Sequence, residues 1–178
     1  MKEKHILYAA LILLALVSYY SFFEFGKNQE KPPYLGPPLL FLDYRDVKRI
    51  QIKTSEGKEL ICERNRGEWN LIKGNKVEKW RSKIADFVSY LISAVEIDRF
   101  AVKSSQLGKF GLEDPPYKIT VTDVTDKTYQ LMIGDDTPVR TCVYVKFVDY
   151  PEVIIVGALL NWELSKISSL FSPIKEKV

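Results

Sequence analysis

The chain is almost without histidine and poor in cysteine. Its 178 residues contain one histidine, His5, and two cysteines, Cys62 and Cys142. Because His5 lies close to the N-terminus, histidine-based catalytic triads and histidine-ligated zinc are excluded from the rest of the chain. The sequence also lacks the GxGxxG pattern and the P-loop that bind nucleotide phosphates. We therefore expect no catalytic residues, no metal site and no cofactor, and we do not predict an enzyme.

The chain also has no large excess of positive or negative charge. The chain contains 26 lysines and arginines against 23 aspartates and glutamates, which gives a formal net charge of +3 at pH 7. A nucleic-acid-binding domain calls for a strongly basic and clustered surface. Nucleic acid is therefore not an expected partner.

The two cysteines leave their pairing open. Cys62 alternates in phase with Leu60 and is expected to face the core. Cys142 alternates out of phase with Val143 and Val145 and is expected to face the other way. An oxidising compartment would permit a disulfide, whereas opposed faces favour two unpaired thiols, with Cys62 buried as a small hydrophobic residue.

One long apolar run is present, from Ile6 to Phe23, and it contains no charged residue. A transmembrane helix needs about 20 apolar residues to cross about 30 Å of hydrocarbon. Tyr19 and Tyr20 near its end are typical of the lipid–water interface. We predict that residues 1–26 form a short tail and a single transmembrane anchor, with the lipid bilayer as a partner through Ile6 to Phe23.

A cleaved signal peptide is the alternative interpretation of this run. Cleavage requires small residues at the first and third positions before the cut. A cut after Ser18 places Leu16 at the third position, and a cut after Ser21 places Tyr19 there. The uncleaved anchor is therefore favoured.

The lysines around the run give little bias for orientation, but the short N-terminal tail is easily retained in the cytoplasm. We expect the protein in the cell inner (cytoplasmic) membrane, with its C-terminal domain extracytoplasmic. Residues 27–38 form a linker with four of the nine prolines, either an extended spacer or a passive connector. Residues 39–178 form the domain.

The first half of the domain, residues 41–101, is predicted as a strand meander followed by a helix. The strands are expected from Val47 to Lys53, Leu60 to Cys62 and Glu68 to Ile72, from their β-branched and alternating residues. One apolar stripe then predicts an amphipathic helix whose core positions are Val77, Trp80, Ile84, Phe87, Val88, Leu91 and Val95. Asn75 and Glu78 are expected to form its capping box.

The second half, residues 117–171, is predicted to have the same order of a strand meander and a helix, as a degenerate internal repeat without residue identities. Alternating residues predict two strands, Lys118 to Thr122 and Thr128 to Ile133, with one turn between them. Further strands are predicted from Val139 to Phe147 and from Val153 to Val156, the last as an edge strand. A helix with Leu160, Leu164, Ile167 and Phe171 on one face follows. The fold class is therefore predicted as α+β, with an N-terminal transmembrane helix followed by a domain of two antiparallel strand meanders, each followed by an amphipathic helix.

The joint between the halves carries the most distinctive motif. A helical turn with a serine cap is expected from Ser104 to Phe110, closed by Gly111 in left-handed geometry, and Leu112 and Pro115 follow. This stretch resembles the (Y/F)GL-x-x-P signature of the bacterial family called domain of unknown function 4340. The remaining features of the resemblance, which runs from Phe41 to Leu170, are Trp69, the amphipathic helix, Ile133-Gly134 and Tyr144-Val145.

The resemblance implies a membrane-anchored extracytoplasmic protein, often associated with gliding-motility-type auxiliary ABC transport systems. The family has no established activity, so it implies no catalytic residue for this chain. One loop departs from the family pattern, because Asp135 to Pro138 replaces a glycine-containing loop.

Paired charges at turns are the remaining candidates for chemistry. The pair Asp123 and Asp126 lies roughly 20 Å along a strand from Asp135 and Asp136. This separation is too large for one calcium ion or one glycosidase centre, and turns favour such residues for backbone reasons alone. Arg64 and Arg66 flank another turn. They are either solvated turn residues or a site that binds an anionic group.

Three functions follow in order of preference. The first is a non-enzymatic accessory or scaffolding subunit of an envelope assembly with an integral-membrane protein partner, docking through exposed aromatics such as Trp162 or an edge strand such as Val153 to Val156. The second is a module that binds an envelope saccharide or peptide near Phe110 to Pro116. The third is a hydrolase that uses Asp135 and Asp136.

Overall fold

Two compact units make up the chain, Met1–Leu35 and Gly36–Val178. The computed structural model describes the following residues: His5, Leu13, Leu14, 16–19 and 36–173. In the first unit the described residues are helical, and their leucine and valine side chains are exposed. Most of the stretch from Ile6 to Phe23, and so most of the predicted anchor, lies outside the described residues. Among the residues that are described, no helix has the length and apolar character needed to cross a bilayer.

The second unit is built around one antiparallel sheet. Its strands in chain order are β1 (Val47–Thr54), β2 (Lys58–Asn65), β3 (Glu68–Lys73), β4 (Glu96–Ala101), β5 (Tyr117–Asp123), β6 (Thr128–Asp136), β7 (Cys142–Phe147), β8 (Glu152–Gly157) and β9 (Ser172–Pro173). Across the sheet the order is β3-β2-β1-β5-β6-β7-β8-β4, and β9 pairs with the start of β2.

Two α-helices are found among residues 36–173, α1 (Trp80–Ser93) and α2 (Leu159–Lys166). Short 3-10 turns cover Tyr44–Asp46, Ser104–Phe110 and Ser168–Leu170. Five residues of the predicted stripe are confirmed as buried positions of α1: Trp80, Ile84, Phe87, Val88 and Leu91. The other two, Val77 and Val95, lie outside the helix and are only partly buried. Burial of a side chain such as Phe87 contributes about 1.5–3 kcal/mol.

The core lies between these helices and one face of the sheet. Strand residues that alternate toward this face, such as Ile50, Ile52, Ile119 and Val145, are almost completely buried. The predicted apolar face of the second helix is confirmed for Leu160 and Leu164, whereas Ile167 and Phe171 lie beyond the end of α2 at Lys166. All four side chains belong to the same core.

The predicted fold class is wrong. The two expected halves do not form separate meanders, because β1 pairs with β5 and so joins them within one sheet. The chain after α1 also forms a further strand, β4, which crosses to the far edge and pairs with β8. The described domain is therefore one continuous antiparallel sheet with few helices.

The expected edge strand from Val153 to Val156 is also wrong. It forms the centre of β8, which has β7 on one side and β4 on the other. Consecutive residues of β8, Val153 and Ile154, are almost completely buried, so its uninterrupted apolar sequence reflects cover on both faces. The outermost strands of the long sheet are β3 and β4.

Two predicted helix caps are wrong. The residue before α1 is Lys79, with φ of 56° and no side-chain cap, while the Asn75 amide donates to the Phe171 carbonyl oxygen at 2.8 Å. Lys103 precedes the 3-10 turn without a serine cap. The left-handed Gly111 that closes this turn is confirmed, with φ of 66°.

The two cysteines are free thiols in the structure. Cys62 is confirmed in the core, and its burial raises the pKa of its thiol to about 12. Cys142 is half-buried at the start of β7.

Candidate ligand-binding groove

A groove of about 440 Å³ opens where the hydrophobic core reaches the surface of the domain. Four segments line it: residues 39–41, strand β4, the first residues of β6, and the end of β7 with the turn that follows. These segments are distant in sequence, and the order of the strands in the sheet brings them together. The volume lies within the range of about 300–1,000 Å³ that is typical of ligand pockets.

One wall of the groove is formed by residues 39–41, at the start of the domain. The Leu39 backbone N–H donates to the Ala94 carbonyl oxygen at 2.8 Å, and the Glu96 N–H donates to the Pro37 carbonyl oxygen at 2.9 Å. The buried side chains of Leu39 and Leu40 hold this segment against the core. Phe41 comes next and is 78% exposed, so an anchored backbone presents an open aromatic ring.

The other aromatic rings come from β6, β7 and the turn after β7. Tyr129 and Phe147 are partly buried against the core. Tyr150 is 57% exposed and packs edge-to-face on Phe147, with 5.8 Å between the ring centroids. The Lys127 ammonium lies 4.9 Å from the centroid of the Tyr129 ring in a cation–π arrangement.

Arg99 on β4 supplies the charged side of the groove. Its guanidinium binds both carboxylate oxygens of Glu96 and one oxygen of Glu152, the latter at 2.7 Å. These bonds, first that to Glu96 and then that to Glu152, raise the pKa of Arg99 above its usual value, so the charge is permanent. An arginine has five N–H donors, and only three are used by the described residues.

This arrangement is suited to binding a ligand that has both apolar and polar groups. Ring faces take up apolar groups or the apolar face of a sugar, while the arginine and its neighbours bind polar groups. Every buried side-chain nitrogen or oxygen of the described residues has a hydrogen-bond partner. Within the same residues, no three His, Cys, Asp or Glu side chains lie close enough to hold a metal ion.

The motif residues Phe110, Gly111, Leu112 and Pro115 do not line the groove. The Phe110 ring packs on Tyr144, with centroids 4.9 Å apart. Leu112 and Pro115 are buried. The structure therefore places this motif in the packing between the 3-10 turn and the sheet.

Trp162, the exposed aromatic expected as a contact point, lies on α2 and is 55% exposed. The Lys166 ammonium stands 3.2 Å from the centroid of its ring. Trp162 does not line the groove, so it forms a separate exposed position.

The acidic residues considered for chemistry make local bonds, and the expected turn at Asp135 and Asp136 is wrong because both residues belong to strand β6. Asp123 accepts hydrogen bonds from the Thr125 N–H and hydroxyl and from the Lys127 N–H, and the bond from Thr125 contributes most to lowering its pKa. Asp126 pairs with Lys48 at 2.6 Å. Asp136 accepts a bond from the Asn161 amide.

The groove residues were not singled out from the sequence. A signal is present in retrospect, because Tyr150 lies between Asp149 and Pro151 in a turn, where a large aromatic residue is left exposed. Phe41 directly follows Leu39 and Leu40 in the sequence, and in the structure these two leucines are buried while Phe41 is exposed.

One family model matches residues 81–171 of the chain, and its description is Domain of unknown function (DUF4340). The matched stretch covers just over half of the 178 residues. The chain belongs to this family. The resemblance expected from the sequence is therefore confirmed over this range. The range includes the Phe110–Pro115 motif and the groove-lining residues from β4 to Tyr150. Comparison with curated proteins and with solved structures gives no match.

Proposed function

We propose that this protein is a non-enzymatic accessory or scaffolding subunit of a cell-envelope assembly, and that the aromatic groove binds a segment of a partner protein. The family resemblance suggests an ABC-type transport system as the assembly. The proposal includes the localisation expected from the sequence, at the inner membrane with the C-terminal domain outside the cytoplasm. Its support is the charge-free apolar sequence from Ile6 to Phe23.

The observation that carries the proposal is the composition of the groove. Aromatic residues and arginine are the types enriched at the centre of protein interfaces, with charged residues at the rim. Phe41 and Tyr150 expose large ring areas, and Arg99 and Lys127 lie beside them. Ring faces of this size are costly to leave in water, so a bound partner segment would stabilise the domain by covering them.

A second candidate function is the binding of an envelope saccharide or peptide in the same groove. The specific observation in its favour is that two N–H donors of Arg99 have no partner among the described residues and lie beside aromatic rings. Donors next to ring faces suit a sugar or a peptide backbone.

Site-specific photo-crosslinking in the native cells tests the proposal. A benzophenone amino acid replaces Tyr150 in the full chain, and the same amino acid at Val139, which is 76% exposed and outside the groove, is the control. We expect one crosslinked protein product from position 150, no product from position 139, and loss of the product when Phe41→Ala is added. Absence of a protein product from position 150 would overturn the proposal.

The second candidate predicts a different result. Saccharide and peptide fragments of the envelope would raise the Tm of the purified protein, since a ligand that binds only the folded state stabilises it. Phe41→Ala would remove this shift. No shift with any fragment at saturating concentration would exclude this candidate.

A further inference from the structure

We propose a second binding site, for a phosphate-bearing anion, in a cavity where Arg45, Arg64 and Arg66 converge beside the β2–β3 turn. The cavity has a volume of about 350 Å³ and shares no lining residue with the aromatic groove. Val47 and Val124 form its apolar part, and Lys48 completes the lining together with Gly67. The sequence offered Arg64 and Arg66 as an anion site, and the fold adds Arg45.

The backbone positions two of the three arginines. Arg45 lies in the 3-10 turn Tyr44–Asp46. Asp43 caps this turn, because its carboxylate accepts a hydrogen bond from the Arg45 N–H at 2.8 Å. Arg66 lies in the tight turn between β2 and β3, with φ of 51°, followed by Gly67 with φ of 87°. Both side chains therefore project from short, constrained turns.

Arg64 is held in place by uncharged partners. Its Nε donates to the Gly67 carbonyl oxygen at 3.3 Å, and its Nη1 donates to the Tyr44 carbonyl oxygen at 2.9 Å. The guanidinium also stacks 4.6 Å from the centroid of the Tyr44 ring, whose hydroxyl accepts a bond from the Trp69 indole. Its orientation is thus fixed while no carboxylate of the described residues pairs with it, and three of its five donors remain for a ligand.

The charge balance of the cavity is positive. Lys48 pairs with Asp126 at 2.6 Å and adds little net charge. The side chains of Arg45 and Arg66 make no hydrogen bond or ion pair with any residue that the structure describes, and the carboxylates of Asp43 and Asp46 pair with none of the three arginines. Three uncompensated guanidinium groups therefore share one concave surface.

The chemistry of the ligand follows from these groups. Guanidinium forks match the oxygens of a phosphate and bind it through charge-assisted hydrogen bonds. Buried Val47 forms an apolar wall beside the guanidinium groups. Both a free phosphate or pyrophosphate and the headgroup of an anionic phospholipid present this chemistry.

The test uses the full-length protein and two double variants. Arg45→Gln with Arg66→Gln removes two site charges that make no hydrogen bond or ion pair with the residues that the structure describes. Lys118→Gln with Arg140→Gln removes two exposed charges elsewhere and is the matched control. Binding is measured by calorimetric titration with pyrophosphate, and by sedimentation with phosphatidylcholine vesicles that contain or lack phosphatidylglycerol.

We expect the site variant to lose at least about tenfold in affinity for pyrophosphate, and the control to match the wild type. A loss confined to pyrophosphate identifies a free phosphate as the ligand, while a loss of the extra binding to phosphatidylglycerol vesicles identifies a lipid headgroup. Equal losses in the two double variants, or no binding of either probe by the wild type, would overturn the proposal.

Discussion

The carbonyl oxygen of Phe110 lies 2.1 Å from the point that a Cβ atom on Gly134 would occupy. The Leu112 side chain lies 3.0 Å from the same point. The 3-10 turn can therefore pack against β6 only because position 134 has no side chain. This contact explains in physical terms why the Phe110–Pro115 motif and Ile133-Gly134 occur together in this chain.

We predict that Gly134→Ala strongly destabilises the domain. The new methyl group would meet a backbone atom that cannot move aside, and such overpacking costs about 1–3 kcal/mol. Urea unfolding of the full chain measures the loss. Gly157→Ala is the control, because its Cβ would meet nothing closer than the Tyr90 hydroxyl at 3.9 Å. Equal unfolding midpoints for the two variants would contradict this prediction.

Arg99→Met should destabilise the protein by about 1–3 kcal/mol at neutral pH, because it leaves the buried Glu96 carboxylate without its donors. Urea unfolding of the full chain at neutral pH measures the loss, with Glu152→Gln as the control for the more exposed partner. Equal unfolding midpoints for Arg99→Met and the wild type would contradict this prediction.

Glu59 should contribute to the acid sensitivity of the protein. Burial alone would raise its pKa, but hydrogen bonds from Lys73 and Gln51 and the charges of Lys73 and Lys53 lower it below its usual value. A carboxyl with a lowered pKa in the folded state stabilises that state above its unfolded pKa, and the contribution is lost as pH falls through the folded value. Glu59→Gln should therefore be less stable than the wild type at pH 7, with the difference shrinking in acid.

Unfolding midpoints at a series of pH values check this expectation. Glu78→Gln, which removes an exposed glutamate without an ion pair among the described residues, is the control. If Glu59→Gln and the wild type differ by the same amount at pH 7 and in acid, the role assigned to Glu59 is wrong.

The two thiols should differ in reactivity. Only the thiolate reacts with iodoacetamide, and burial raises the pKa of the Cys62 thiol to about 12. Native protein should be labelled at Cys142, which is half-buried, and not at Cys62. Mass spectrometry after a short exposure measures this, and labelling in urea, where both sites should react, is the control. Comparable labelling of both cysteines in the native protein would contradict the buried position of Cys62.

Short-range patterns predicted much of the secondary structure. Alternation is sufficient for β1 and β5, and spacing of three and four is sufficient for α1. Strand β4 was missed because Glu96, Asp98 and Arg99 make its sequence polar, whereas pairing with β8 and the Glu96–Arg99 ion pair stabilise it as a strand. These contacts lie far apart in sequence or depend on the sheet, so no local pattern contains them.

The groove depends on the same long-range order. Phe41, Arg99 and Tyr150 line one groove because β4 joins the sheet beside β8 and residues 37–39 pair with residues 94–96 at the start of β4. The sequence pointed instead to Phe110–Pro115, whose residues are distinctive because they pack closely. A motif can therefore mark a tight contact in the fold while the exposed binding surface lies elsewhere.

The mass of the complex isolated from native cells decides whether the groove holds a partner protein. The full-length wild type and the variant with Phe41→Ala and Tyr150→Ala are crosslinked, extracted in mild detergent and weighed by native mass spectrometry. We predict a defined mass above the monomer for the wild type and the monomer mass for the variant. A wild type found only as a monomer, or a variant that keeps the complete complex, would contradict the proposed function.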